Sequence, residues 1–196
     1  MAANNLDFFN ECLEGIGKRK LTDGKAENTY ASYYRSSFND DYAEAFSYNF
    51  GVNTKTFKLS INKDISRDDG WTTFYFPPLL HILSVNSGYR RITYPYSIED
   101  GGIAIGTGIG SSISEFNAFG LVALEPIELQ NYRVLESYIK KKIQYSLLNN
   151  IDKEDKTSAY FQAKNIELEG ALNKALSLAT PNRFKLEAQI SSEGIL

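Results

Sequence analysis

The chain has 196 residues, 42% of them hydrophobic and 23% charged, with 21 Lys and Arg against 24 Asp and Glu. A formal charge of −3 offers no basic field to gather phosphates, which disfavours a general DNA or RNA binder. One cysteine, Cys12, and one histidine, His81, are too few for an intrachain disulfide or a zinc site, and no stretch approaches the roughly 20 apolar residues of a bilayer span.

The first fifteen residues lack a basic flank followed by an apolar run, so the sequence predicts a soluble chain without an export signal. Tyr and Phe are abundant, 13 and 12, against one Trp and one Met. Such rings serve interfaces where the hydroxyl stays wet, and they equally serve a core that uses Tyr and Phe in place of Leu and Met.

Leu6, Phe9, Leu13 and Ile16 stand at helical spacing and predict a helix over about 5–15, stopped by Gly15 and Gly17. The polar stretch from Lys18 to Asn28 reads as a loop. Tyr30, Tyr34, Phe38, Tyr42 and Phe46 recur every four positions, predicting one aromatic-faced helix to about Ser47. From Gly51 the period falls to two: Phe57, Leu59 and Ile61 alternate with Lys58, Ser60 and Asn62, and Trp71 to Phe76 is a second β-rich run. A hairpin is the economical pairing. Leu79 to Val85 is apolar and ambiguous by period, while 89–96 and 98–105 suggest short strands broken by Gly and Pro. After a predicted strand at Leu121 to Leu124, Pro126 announces a helix with Tyr132, Leu135, Ile139, Ile143 and Leu147 on one face. Asp152 is placed to cap another, lined by Phe161, Leu168, Leu172, Ala175 and Ala179 and ended by Pro181. Residues 182–196 are weakly apolar and predict an extended tail that orders against a partner.

The fold class that follows is α+β: mainly an antiparallel bundle of about four helices (1–50 and 126–180), with a β-strand-rich insertion (51–125) and an extended C-terminal tail (181–196), all in a single domain.

Few motifs carry chemistry. Gly106-Thr107-Gly108-Ile109-Gly110 imitates a phosphate loop, but its third glycine comes one position early for a dinucleotide fingerprint and no Gly-Lys-Ser/Thr follows. His81 lies in an apolar run without a nucleophile pattern beside it, so a packed or interface position is its simpler role, and Cys12 reads as a buried thiol. Asp40-Asp41, Asp68-Asp69 and Glu99-Asp100 are adjacent acids of the kind loops present to water. Lys140-Lys141-Lys142, with Arg133 two turns back, makes a basic helix arc that is either wet surface or a contact for phosphates or an acidic partner, with Glu136 placed for an i,i+4 pair. The expectation is no catalytic, cofactor-binding or metal-binding residue, hence no enzyme and no cofactor.

The order of short motifs resembles the head-to-tail adaptor family of short-tailed phages, also called tail tubular protein A or gatekeeper. Asn10-Glu11-Cys12-Leu13-Glu14-Gly15-Ile16-Gly17 is similar to that family's opening N-x-x-L-x-x-I-G. Tyr48-Asn49-Phe50 looks like its aromatic-Asn-Phe element, and Phe76-Pro77-Pro78-Leu79-Leu80 like its aromatic-Pro-Leu step. Val122-Ala123-Leu124-Glu125-Pro126 with the two following helices resembles its closing strand, proline and helix pair. Lys18-Arg19-Lys20-Leu21 departs from the family's Glu-x-Pro-Val, and Tyr48 stands where it has tryptophan.

The resemblance implies a structural virion protein at the head-tail interface, made in the host cytoplasm. It implies a dodecameric ring of copies of itself, bound to the portal protein on one side and the tail nozzle on the other. Genome DNA would pass through without specific binding, and no membrane is involved. Arg183, Phe184, Leu186, Ile190, Ile195 and Leu196 are the expected portal-docking residues, and 57–110 the expected tail-side contact. Two other readings stay open on the residues alone: a small soluble hydrolase using His81 or an acid pair, and a monomeric protein-binding module.

Overall fold

A computed structural model describes residues 2–87, 90–108 and 115–192. The chain divides into two compact units, one of residues 1–52 with 123–196 and one of residues 53–122. The first is helical: α1 (Ala2–Glu14), α2 (Thr29–Ser36), α3 (Phe38–Glu44), α4 (Pro126–Leu129), α5 (Arg133–Asn150) and α6 (Ala159–Ser192).

Helix α1 buries Phe8, Phe9, Cys12 and Leu13. It closes in a Schellman turn, with Gly17 at φ +74, Lys18 N–H donating to the Leu13 carbonyl at 2.9 Å and Gly17 N–H to that of Glu14 at 2.9 Å. The loop that follows is pinned by buried Asn10, whose amide accepts from Leu21 N–H at 2.8 Å and donates to the Leu21 carbonyl at 3.0 Å.

The aromatic stripe at 30–46 forms two helices, not one. Asn28 caps α2 through the Ala31 N–H, and the chain breaks at Ser37, where φ is −127. Ser36 Oγ donates back to the Ser32 carbonyl at 3.0 Å, a bond that weakens helix continuation, and the Tyr33 hydroxyl reaches across the break to Asp41. The stripe stays continuous through the bend: Phe9, Tyr34, Phe38, Tyr42 and Phe46 stack in sequence with ring centroids 5.1 to 5.7 Å apart. Much of the aromatic content therefore builds an internal core.

Helix α5 is the centre of the unit and packs against α1, α3, α4 and α6. Leu135, Ile139, Ile143 and Leu147 are all buried on the predicted face. Ahead of it Pro126 starts the separate one-turn helix α4, with Glu125 N–H donating to Glu128 at 2.7 Å. Helix α6 runs antiparallel to α5, since Tyr145 stacks on Phe161 and Lys141 pairs with Glu167. Ser158, not Asp152, caps it, accepting from Phe161 N–H at 3.1 Å. Asp152 instead accepts from the Tyr30 hydroxyl and pairs with Lys18 at 3.2 Å. The Tyr30 hydrogen bond, followed by that of Asp152, raises the Lys18 pKa.

The second unit holds two antiparallel sheets built from β1 (Thr54–Lys58), β2 (Trp71–Phe74), β3 (His81–Ser87), β4 (Arg90–Thr93), β5 (Tyr96–Glu99), β6 (Gly102–Gly106) and β7 (Phe116–Leu121). Their orders are β1-β7-β3-β4 and β2-β6-β5. The expected hairpin of the first two strands is replaced by distant pairing: β1 takes β7 with Thr56 opposite Phe119, and β2 takes β6 with Thr73 opposite Ala104. Of the predicted first strand, residues 60–62 run beside β2 and Tyr75 after it, through Asn62 N–H to the Thr73 carbonyl and Tyr75 N–H to the Ser60 carbonyl, each 2.9 Å. Alternation fixes which face of a strand is buried, and turn chemistry fixes its partner; the charged stretch from Asp64 to Gly70 lacks a two-residue hairpin turn. Phe74 and Phe116, 5.4 Å apart, join the sheets in a core with Val85, Ile103 and Ile105.

Two parts of the expected fold class are thus corrected. The molecule is α+β with six helices and seven strands in two sheets among the described residues, not mainly a four-helix bundle. The expected extended tail is helical as far as Ser192, so Pro181 lies inside α6. Strong helix formers flank that proline, with Leu176, Leu178 and Ala179 before it and Lys185, Leu186, Glu187 and Ala188 after. Their combined preference offsets the roughly 3 kcal/mol an interior proline costs.

Candidate functional site

The residue types that could carry chemistry are mostly committed elsewhere. The amides of Thr107 and Gly108 both donate to the Gly70 carbonyl, at 3.0 and 2.9 Å, so the glycine-rich segment spends on its own chain the N–H groups a phosphate would need. Residues 109 and 110 lie outside the described residues. His81 is exposed at the start of β3, which is not the packed one of its two expected positions. Cys12 is fully buried, and burial pushes its thiol pKa well above the ordinary value, as befits an inert side chain. Asp69 and Glu99, from two different acid pairs, are brought together by Arg67, which lies 2.5 Å from each. Its hydrogen bonds lower the Asp69 pKa.

The three lysines in a row are intramolecular braces. Successive side chains leave a helix about 100° apart. Lys140 therefore reaches Glu11 of α1 at 2.5 Å and Glu136 at 2.7 Å, Lys141 reaches Glu167 of α6 at 2.7 Å, and Lys142 reaches Glu44 of α3 at 3.0 Å. Burial pulls the Lys140 pKa down, but its two carboxylates more than offset this and the net shift is upward.

Of the expected portal-docking residues, Arg183, Phe184, Leu186 and Ile190 occupy helical backbone positions in α6, and their side chains lie outside the described residues, as do Ile195 and Leu196 entirely.

What sequence reasoning missed is a cavity at the N-terminal end of α5. It has a volume of about 420 Å³, and its walls are Phe50, Val52, Val134, Leu135 and Ala175, drawn from three separated parts of the chain. Gln130, Asn131, Tyr132 and Arg133 form its rim. Tyr132, the residue before α5, gives no side-chain cap, so the N-terminus of an 18-residue helix brings its partial positive charge to this rim. Arg133 is exposed and makes no ion pair among the described residues.

Arg133 also begins a polar groove of about 430 Å³ that runs along α5 over Ser137, Lys140 and Lys141 to Gln144. Lys140 ties its floor to α1 and Lys141 ties it to α6. Gln144 is only 9% exposed, and its amide has no hydrogen bond among the described residues. Gly15 makes room for that amide, since a Cβ there would stand 1.9 Å from Nε2. No group of three or more His, Cys, Asp or Glu among the described residues is arranged to hold a metal ion. The site can hold an apolar group beside an anion.

No protein-family model matches this chain, and no curated protein matches it in sequence.

Proposed function

We propose that this chain is a head-to-tail adaptor: a structural virion protein that assembles as a ring of twelve copies between the portal and the tail nozzle of a short-tailed phage. The motif order described above supports the reading, from Asn10 to Gly17 through Tyr48-Asn49-Phe50 to Glu125-Pro126 and the helix pair. The observation that carries it is the inequality of that pair. Helix α6 has 34 residues against 18 in α5, so at the usual rise it is about 51 Å long and outruns its partner by roughly 24 Å. A helix nearly twice as long as its partner suits a segment whose packing is completed by another molecule. On this reading the C-terminal segment from residue 182 docks on the portal, and the β unit meets the nozzle. The net charge of −3 suits a conduit that must release the phosphates passing through it.

The test is light scattering and negative-stain microscopy of the full chain, alone and mixed with the portal protein of the same virus. Twelve-fold rings, free or portal-bound, are expected, together with loss of portal binding on deletion of 183–196. A particle that stays monomeric in both conditions overturns the ring, and portal binding that survives the deletion overturns the docking role.

A further inference from the structure

We infer that the cavity at the start of α5 and the groove leading from it form a peptide-docking site, whose occupant is an extended segment of a partner protein carrying a large apolar side chain next to a carboxylate. The inference is independent of the ring reading and names a surface that reading does not use.

Three observations at one place carry it. The cavity of about 420 Å³ is apolar along Phe50, Val52, Leu135 and Ala175, and this is the size range of sites that enclose a bulky group. At its rim the unpaired Arg133 guanidinium and the uncapped N-terminus of α5 both favour a negative charge. Beyond Arg133 the groove continues to Gln144, about 17 Å along the helix axis, which is the length of roughly five residues of extended chain. A single-carboxylate amphiphile would fill the cavity and leave this groove empty.

Gln144 matches a peptide backbone in the groove. Its amide offers one acceptor and two donor hydrogens, is nine-tenths buried, and has no partner among the described residues. The amide opens into the groove, and the backbone of an extended peptide supplies the donor and acceptor that complement it. Charge complementarity points the same way. Among the groove residues Arg133, Lys140 and Lys141 oppose one acid, Glu136, and of the three cations Arg133 alone keeps its charge unspent.

The probe is an N-acetylated peptide, Phe-Asp-Ser-Asn-Ser, labelled at its far end and titrated with the full chain by fluorescence anisotropy. Controls replace Asp by Lys, or Phe by Ala. Saturable binding of the acidic peptide is expected, weaker by about tenfold or more for either control, for Arg133→Glu and for Gln144→Leu. Arg133 is exposed, so its reversal leaves the fold intact, which the far-UV circular dichroism spectrum checks. Equal binding of the Asp and Lys peptides, no saturable binding, or an unchanged affinity in Arg133→Glu overturns the proposal. Two further outcomes also overturn it. One is that decanoate binds while no peptide does, making the site a small-molecule pocket. The other is that the probe is displaced as the chain's molar mass doubles with concentration, making the occupant a second copy.

Discussion

The Tyr42 hydroxyl donates to the Leu124 carbonyl at 2.7 Å, tying α3 to the segment where the chain re-enters the helical unit 82 residues later. Both residues are buried, so neither polar group has water to fall back on. Burial, the largest cause, raises the Tyr42 pKa, and the hydroxyl stays protonated and donating throughout the accessible pH range. Tyr42→Phe keeps the ring stack with Phe38 and Phe46 and removes only this bond. We expect a loss of about 1–2 kcal/mol in urea unfolding followed at 222 nm. A change indistinguishable from zero would mean the carbonyl finds another donor.

Two glycines should respond in opposite directions to the same methyl group. Gly120 of β7 faces β3 so closely that a Cβ would stand 2.1 Å from the His81 carbonyl oxygen, and backbone cannot swing away as a side chain can. Gly120→Ala is expected to cost about 1–3 kcal/mol or more, read by the urea transition of Trp71 fluorescence, the one tryptophan and a residue of the same unit. Gly170 is exposed within α6 and its Cβ would meet nothing within 4 Å. Gly170→Ala should therefore stabilise the helical unit by about 0.5–1 kcal/mol, through helix propensity and a less flexible unfolded chain.

The parts of this fold that were legible in sequence are those where one segment settles its own structure. The stop of α1 at Gly15 and Gly17, and the face of α5 from Leu135 to Leu147, follow from local spacing. The errors arise where remote residues decide. Four-residue spacing from Tyr30 to Phe46 does not reveal that Ser36 and Ser37 bend the helix while the stripe survives. Alternation at Phe57 to Ile61 says nothing about Phe119 lying opposite Thr56. Pro181 reads as a stop because the cost of proline is local, whereas the helix preference that offsets it is summed over both flanks. The candidate site was invisible for the same reason. Phe50, Arg133 and Ala175 converge only in the folded chain, and Gln144 follows a run of lysines that draws the eye to charge.

Asn10 supplies a fourth prediction. It is buried in α1, and its side chain satisfies both the N–H and the carbonyl of Leu21, closing the loop that links α1 to α2. Asn10→Ala leaves two buried backbone groups unpaired at once. We expect a loss of about 2–3 kcal/mol and faster hydrogen exchange at the Leu21 amide than at neighbouring amides of α1. Uniform acceleration along α1 would instead show that the residue supports the helix and not the loop.

The Lys141–Glu167 pair gives a prediction with a defined pH window. Lys141 Nζ lies 2.7 Å from Glu167 and links α5 to α6. Its hydrogen bond is the largest cause lowering the Glu167 pKa, with Lys164 adding a smaller push the same way. A carboxylate whose folded pKa is depressed contributes stability that is present above its unfolded pKa, about 4.3 for Glu, and lost as pH falls through the lower folded value. The Glu167 side chain is 44% exposed, so solvent screening holds the contribution to the range of surface pairs, about 0.2–1 kcal/mol. Lys141→Met keeps most of the apolar stem packed on α5 and removes the charge. The stability difference between the two proteins should be constant near neutral pH, shrink below about pH 4 as Glu167 protonates, and diminish in high salt. Urea unfolding across that range measures it. A difference that persists undiminished in acid would assign the effect of Lys141 to its methylene packing and not to its charge.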